Sequence, residues 1–206
     1  MPSGFHSGNR SLQDTFDTRA LADRIDTLLV RATISPGDRA FIQQRDMFFL
    51  ATADAEGRPT CSYKGGEPGF VRVVDSHTVA FPNYDGNGMY LSMGNVLLNP
   101  QVGMLFIDFE AGNRMRLDGE ASIDVDDPLM ADYPEAQFIV RVTARAVYPN
   151  CPRYIHRYTL VRRSRFVPRE GCVTPVPDWK RSDWAFDALP RDDPARDPGE
   201  RDVIGR

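Results

Sequence analysis

The sequence predicts a mainly β protein: a six-stranded antiparallel barrel with helices ahead of it and one helix inserted. Three observations carry this. From residue 47 the apolar pattern shifts from helical spacing to short extended runs. Those runs are separated by clusters of Gly, Pro, Asn and Asp, a hairpin signature. The stretch from Gln137 to Tyr148 alternates, with Phe138, Val140, Val142, Ala144 and Ala146 on one face and Arg141, Thr143 and Arg145 on the other. Short antiparallel strands close most easily into a barrel, which removes exposed edges.

The elements follow in chain order. Asp17 or Thr18 can cap a helix through Ala20, Leu21, Ile25, Leu28, Leu29 and Val30. Ser35-Pro36 opens a second helix, Ser as cap and Pro in the first turn, ending near Arg45. Met47 to Ala53 is an apolar strand, turned at Asp54-Ala55-Glu56-Gly57 into a second strand, Pro59 to Lys64. Phe70 to Val74 and Thr78 to Phe81 are further extended pieces. The loop Asn83-Tyr84-Asp85-Gly86-Asn87-Gly88 feeds a helix from about Met89 to Leu98, closed by Asn99-Pro100. Val102 to Phe109 is almost continuously apolar and reads as buried on both faces. Asn113 to Ile123 alternates around Gly119. A short helix is expected over Cys151 to Tyr158, then a last extended piece, Thr159 to Val167. Residues 1–14 read as a flexible N-terminus, 15–185 as one barrel domain with its helices, and 186–206 as a charged, Pro-rich tail with little to bury.

Composition narrows the function. The 206 residues carry a net charge of −4, which argues against a general nucleic-acid binder. No apolar run reaches the roughly 20 residues that cross a bilayer. The first ten residues do not resemble a signal peptide. Three widely spaced cysteines, Cys61, Cys151 and Cys172, suggest neither a disulfide framework nor a zinc site, and a reducing cytoplasm is the simplest setting. Familiar hydrolase, metalloprotease and nucleotide-binding signatures are missing. His6, His77 and His156 are far apart, so a metal centre has little support and no metal ligands are assigned.

The polar residues that remain are few. Ser92 and Asn95 share one side of the helix that begins near Met89, and the loop before it can offer backbone N–H groups to an anion such as a phosphate. A plain turn followed by tolerated helix residues explains the same pattern. Arg114 and Arg116 point to one face, either as solvated side chains or as planar donors to a phosphate or ring edge. Lys64, beside two glycines, reads either as a turn lysine or as a ligand contact.

Quoted together, FFLATADAEGRPTCSYKGG, PGFVRVVD, VAFPNYDGNGMYLSMGNVLLNPQVGMLFIDF and NRMRLDGEA resemble the pyridoxamine 5′-phosphate oxidase-like, FMN-binding split-barrel family over about residues 15 to 185. The resemblance implies a split barrel that forms a homodimer with FMN in the interface. It implies an FMN-dependent oxidoreductase acting on a small-molecule redox substrate. A non-catalytic flavin carrier or sensor, or a split barrel for deazaflavin or haem, remains open, with His77 and His156 as the available axial ligands.

The resemblance also places cofactor contacts. Ser62, Tyr63, Lys64 and Gly65 would lie along the flavin ring, with Phe81 and Pro82 reaching it. Leu91 and Ser92 would hold the phosphate, with Asn95 one turn on and Arg114 supplying a polar contact. Trp179 and Arg181 would close over the flavin, or Trp179 simply packs the tail. The chain departs from true pyridoxamine-phosphate oxidases where SYKGG replaces an arginine-bearing strand and Leu91-Ser92 replaces an Arg-Lys pair. No catalytic acid or base is assigned.

Overall fold

The structure, a computed structural model, describes residues 4–197. The chain begins with three helices: α1 (Ser7–Thr15), α2 (Arg19–Leu29) and α3 (Pro36–Gln43). His6 caps α1, accepting from the Gly8 and Asn9 N–H groups, so helix replaces part of the flexible N-terminus expected over 1–14. Neither α1 nor α2 buries a residue. Ser35 caps α3 as expected, with Asp38 completing a reciprocal capping box and Pro36 in the first turn. Its one buried residue is Ile42.

Seven strands follow: β1 (Met47–Ala53), β2 (Pro59–Gly65), β3 (Arg72–Val73), β4 (Thr78–Asn83), β5 (Gln101–Asp108), β6 (Asn113–Asp124) and β7 (Phe138–Asn150), with α4 (Leu91–Leu98) between β4 and β5. They form one antiparallel sheet in the order β2-β1-β5-β6-β7-β4-β3. The mainly β split-barrel fold is as expected, with seven strands in place of six. The seventh, β3, is a two-residue edge piece cut short by the glycines and Pro68 before it.

Phe48, Leu50, Val79, Phe81, Met104, Phe106, Leu117, Ile139, Val140 and Val142 form the barrel core. Phe48 is its centre, with ring centroids 5.0 Å from Phe81, 5.3 Å from Phe106 and 5.8 Å from Phe70. Gly119 marks a register shift in β6 opposite β7, and a Cβ there would stand 2.2 Å from the Thr143 carbonyl oxygen.

β5 corrects a second expectation. Val102, Met104 and Phe106 are buried, but Gly103, Leu105 and Ile107 on the other face are only half-buried. The strand therefore has one core face and one apolar face left partly open. The helix expected over Cys151 to Tyr158 is replaced by a turn, closed by the Ile155 N–H on the Pro152 carbonyl. So short a segment with almost nothing buried lacks the packing that sustains a helix.

The chain divides into two compact units, Met1–Thr159 and Leu160–Arg206. Within the second, a 3₁₀ turn at Asp178–Arg181 precedes the short helix α5 (Asp183–Phe186). The part of the expected loose tail that lies among the described residues is ordered within this unit. Lys180 Nζ and Asp193 Oδ2 are 2.7 Å apart, both side chains 5% exposed, and Arg196 donates to the carbonyls of Asp187, Leu189 and Pro190. No helix of the described residues is long and apolar enough to cross a membrane.

Candidate functional site

β2 presents its residues alternately to the two sides of the sheet. Lys64 pairs with Phe48, Ser62 with Leu50 and Thr60 with Thr52, so Thr60, Ser62 and Lys64 share the face of the buried β1 residues. Tyr63 pairs with Phe49 on the outer face, 62% exposed, its ring edge-on to Phe49 at 6.1 Å. Gly65 ends the strand, and a Cβ there would stand 2.7 Å from the Tyr63 ring.

α4 lies over the inner face of β1 and β2. Ser92 is buried, and its hydroxyl is 3.0 Å from that of Ser62. Asn95 Nδ2 donates to Thr52 Oγ1 at 3.1 Å and Thr60 Oγ1 at 3.3 Å. Asn95 therefore ties the helix to the hairpin, and its amide is committed to that role. Leu91 projects into solvent at 56% exposure.

The helix starts two residues later than expected because Tyr90 adopts φ +47°, a left-handed conformation rare for so large a residue. Its hydroxyl donates to Gln137 Oε1 at 3.0 Å, which also accepts from Asn83 Nδ2. No side chain caps α4, so its first N–H groups are left for solvent or an anion.

Lys64 is half-buried at the same side, and burial pulls its pKa below the usual lysine value. Among the described residues its ammonium forms no salt bridge or hydrogen bond. A partly desolvated cation without a carboxylate invites an anion.

The other candidates are placed differently. Phe81 is 1% exposed and its ring is spent on the core, so only its backbone is available to a ligand. Pro82 is buried opposite Ile139. Arg114 sits on the outer face of β6, alternating with the core residues Met115 and Leu117, and its Nε donates to the Cys151 carbonyl at 2.9 Å. Ser92 and Arg114 are thus on opposite faces of their own sheet, and one chain does not bring them together.

Trp179 and Arg181 share the 3₁₀ turn of the second unit, where the Trp179 ring stacks on Trp184 at 5.9 Å. The outer-face neighbours Phe49 and Leu105, and the Tyr90–Gln137 contact, escaped sequence reasoning. Half-burial and a left-handed backbone leave no periodic signal.

Solved structures of other proteins resemble the chain at low identity. HupZ of Group A Streptococcus is 17% identical over 56% of this chain and 93% of its own, with a TM-score of 0.46. An FMN-binding protein of Syntrophomonas wolfei is 11% identical over 68% of this chain and 97% of its own, with a TM-score of 0.45. The heme storage protein HutZ of Vibrio cholerae is 22% identical over 57% and 91%, with a TM-score of 0.38. At this distance they carry no argument about this chain. No curated protein matches the sequence. The sequence profile of pyridoxamine 5′-phosphate oxidase matches residues 35–164, from the cap of α3 through the whole seven-stranded sheet, which is more than half of the chain. With β1, β2 and the uncapped α4 inside the matched region, the chain belongs to the pyridoxamine 5′-phosphate oxidase family.

Proposed function

We propose that the chain is an FMN-binding flavoprotein oxidoreductase that works as a homodimer. One observation carries the reading. Lys64, half-buried and without an anionic partner among the described residues, shares a sheet face with Ser62, whose hydroxyl meets Ser92 in the first turn of the uncapped α4. A cation, two hydroxyls and free helix N–H groups suit a phosphate monoester.

When bound, the flavin supplies the redox chemistry. The chain's own residues hold and orient it. Lys64 and the first turn of α4 offset the phosphate charge. Tyr63 and Arg114, on the outer face, are available to a ligand that lies between two copies. The dimer has its own support in the half-exposed apolar row of Phe49, Leu105 and Ile107 on that face. A ligand that touches both Ser92 and Arg114 draws them from two copies.

The test is the visible spectrum of the purified protein after titration with FMN. Flavin bands that shift on binding, at about one FMN per chain, support the reading. A protein that stays colourless with added FMN contradicts it, and a Soret band on adding haem in its place moves the assignment to a haem protein.

A further inference from the structure

Two stretches of this chain carry opposite charge. Between Cys151 and Arg169 there are six arginines and no acid. Between Leu117 and Val140 there are seven acids and no Lys, Arg or His. With the whole chain at −4, removing the basic stretch leaves the rest at a formal −10.

The basic stretch has no regular structure, and every residue from His156 to Phe166 is exposed. It still carries large apolar groups: Tyr154 is 89% exposed, Val161 98% and Leu160 52%, while Tyr158 is anchored, its ring edge-on to Phe109 at 5.4 Å and its N–H on the Phe109 carbonyl. Apolar side chains at that exposure on an extended segment need a surface to cover them. Among the described residues neither Arg162 nor Arg165 forms a salt bridge; Arg165 only stacks on Phe166 at 5.0 Å. The six residues from Thr159 to Ser164 lie in no turn and, extended, would reach about 20 Å, enough to meet a neighbouring molecule.

The acidic stretch holds the end of β6 and the loop to β7. Asp127 is paired with Arg141, and Asp132 with Arg72. Asp124 and Asp126 are exposed without a salt bridge among the described residues, and Val125 between them is 63% exposed.

Anchored behind by Arg157 on the Glu110 carbonyl and Tyr158 on Phe109, residues 159–169, we infer, form an arm that docks on the 120–126 acidic edge of a second copy of this chain. The exchange is reciprocal, as a two-fold dimer requires. Arg162 and Arg165 face Asp124 and Asp126, while Val161 and Val125 supply the apolar contact. The −10 on the rest of the chain disfavours a nucleic acid or an anionic lipid surface, and the same charge favours a copy of itself. The inference rests on the homodimer proposed above but not on its ligand.

The experiment is sedimentation equilibrium of the full chain at low and high salt. The samples are the wild type, the Arg162→Glu/Arg165→Glu variant, the Asp124→Lys/Asp126→Lys variant, and an equimolar mixture of the two variants. Far-UV circular dichroism and thermal melting check that each variant folds. Exposed charge pairs are worth a few-fold each, so each variant should raise the dimer dissociation constant about tenfold or more at low salt. The mixture should recover dimer, because the mixed pair has complementary charge at both arm sites: Glu arm on Lys edge and Arg arm on Asp edge. The differences should shrink near 1 M salt, where the Debye length is about 3 Å.

Variants that dimerise as tightly as the wild type, with no recovery on mixing, overturn the arm while leaving the dimer in place. A monomeric wild type overturns both. Tight binding of the wild type to a single-stranded oligonucleotide or a phosphatidylserine vesicle, lost in the arginine variant, gives the arm a different partner and overturns the inference.

Discussion

The Ser62 hydroxyl lies 3.0 Å from that of Ser92, joining the middle of β2 to the first turn of α4. Around this contact the helix is fixed by Asn95, which donates to Thr52 and Thr60. The helix is thus tied to the hairpin at two points, and its start meets β2 two residues from Lys64.

This arrangement separates tethering from ligand contact. Asn95→Ala leaves the buried Thr52 hydroxyl and the half-buried Thr60 hydroxyl with only each other, which costs about 1–2 kcal/mol. The melting temperature should fall by several degrees, while the ratio of FMN to riboflavin affinity stays that of the wild type. If the ratio collapses, Asn95 contacts the phosphate directly.

Lys64 offers a test through stability. Its folded pKa lies below the unfolded value of about 10.4, so between those values the folded state binds fewer protons than the unfolded one. Stability of the ligand-free protein should thus rise with pH through that window, the burial penalty being fully present below it. Lys64→Met removes the penalty and should stabilise the ligand-free protein by about 0.5–1 kcal/mol at pH 7, with the gain shrinking near pH 10. Thermal melts at the two pH values check this, and a less stable variant at pH 7 would show that Lys64 is held by favourable contacts.

At the base of the β6–β7 loop, Asp127 is 2% exposed, and the Arg141 guanidinium holds its carboxyl below the usual range, helped by the Leu129 N–H. A lowered carboxylate stabilises the fold above its unfolded pKa of about 3.9, and the contribution is lost as pH falls through the folded value. Asp127→Ala should cost about 1–3 kcal/mol at pH 7, since Arg141 keeps some solvent, and much less at pH 2. An equal loss at both values would assign the effect to the cap that Asp127 makes on the 3₁₀ turn Pro128–Asp132 rather than to charge.

In the second unit, burial disfavours the Asp193 carboxylate, but Lys180 and the Ala195 N–H outweigh it and lower its pKa. Removing residues 187–206 takes away Asp193 and leaves Lys180 buried without it. That truncation should disrupt the Trp179–Trp184 stack and weaken the near-UV circular dichroism of the tryptophans, and Asp193→Asn should do so in part. Unchanged tryptophan dichroism in both would show that this pair does not organise the unit.

Much of the barrel was legible in the sequence because its strands have one buried face. The alternation around Phe138, Val140 and Val142 and the Ser35-Pro36 start signal both translate directly into structure. The helix expected at Cys151 fails because propensity without a buried face does not sustain so short a helix. The loose tail misled because its order rests on a long-range pair, Lys180 with Asp193, and the charge composition that suggests disorder is what forms it. At the site, residue types pointed to Ser92 and Lys64, but not to the separation of Ser92 from Arg114 by the thickness of the sheet. Which face a residue takes follows from register, and register is set by partners far away in sequence.

The central claim is that Lys64 and the start of α4 receive the phosphate of FMN. It is tested most directly by titrating wild type and Lys64→Met with FMN and with riboflavin, the same ring without the phosphate. The account predicts that wild type binds FMN at least tenfold more tightly than riboflavin. It predicts that Lys64→Met loses about 1.5–3 kcal/mol toward FMN, roughly ten- to a hundredfold, while riboflavin binding is almost unchanged. Equal losses for both ligands, or a wild type that does not distinguish them, would contradict it.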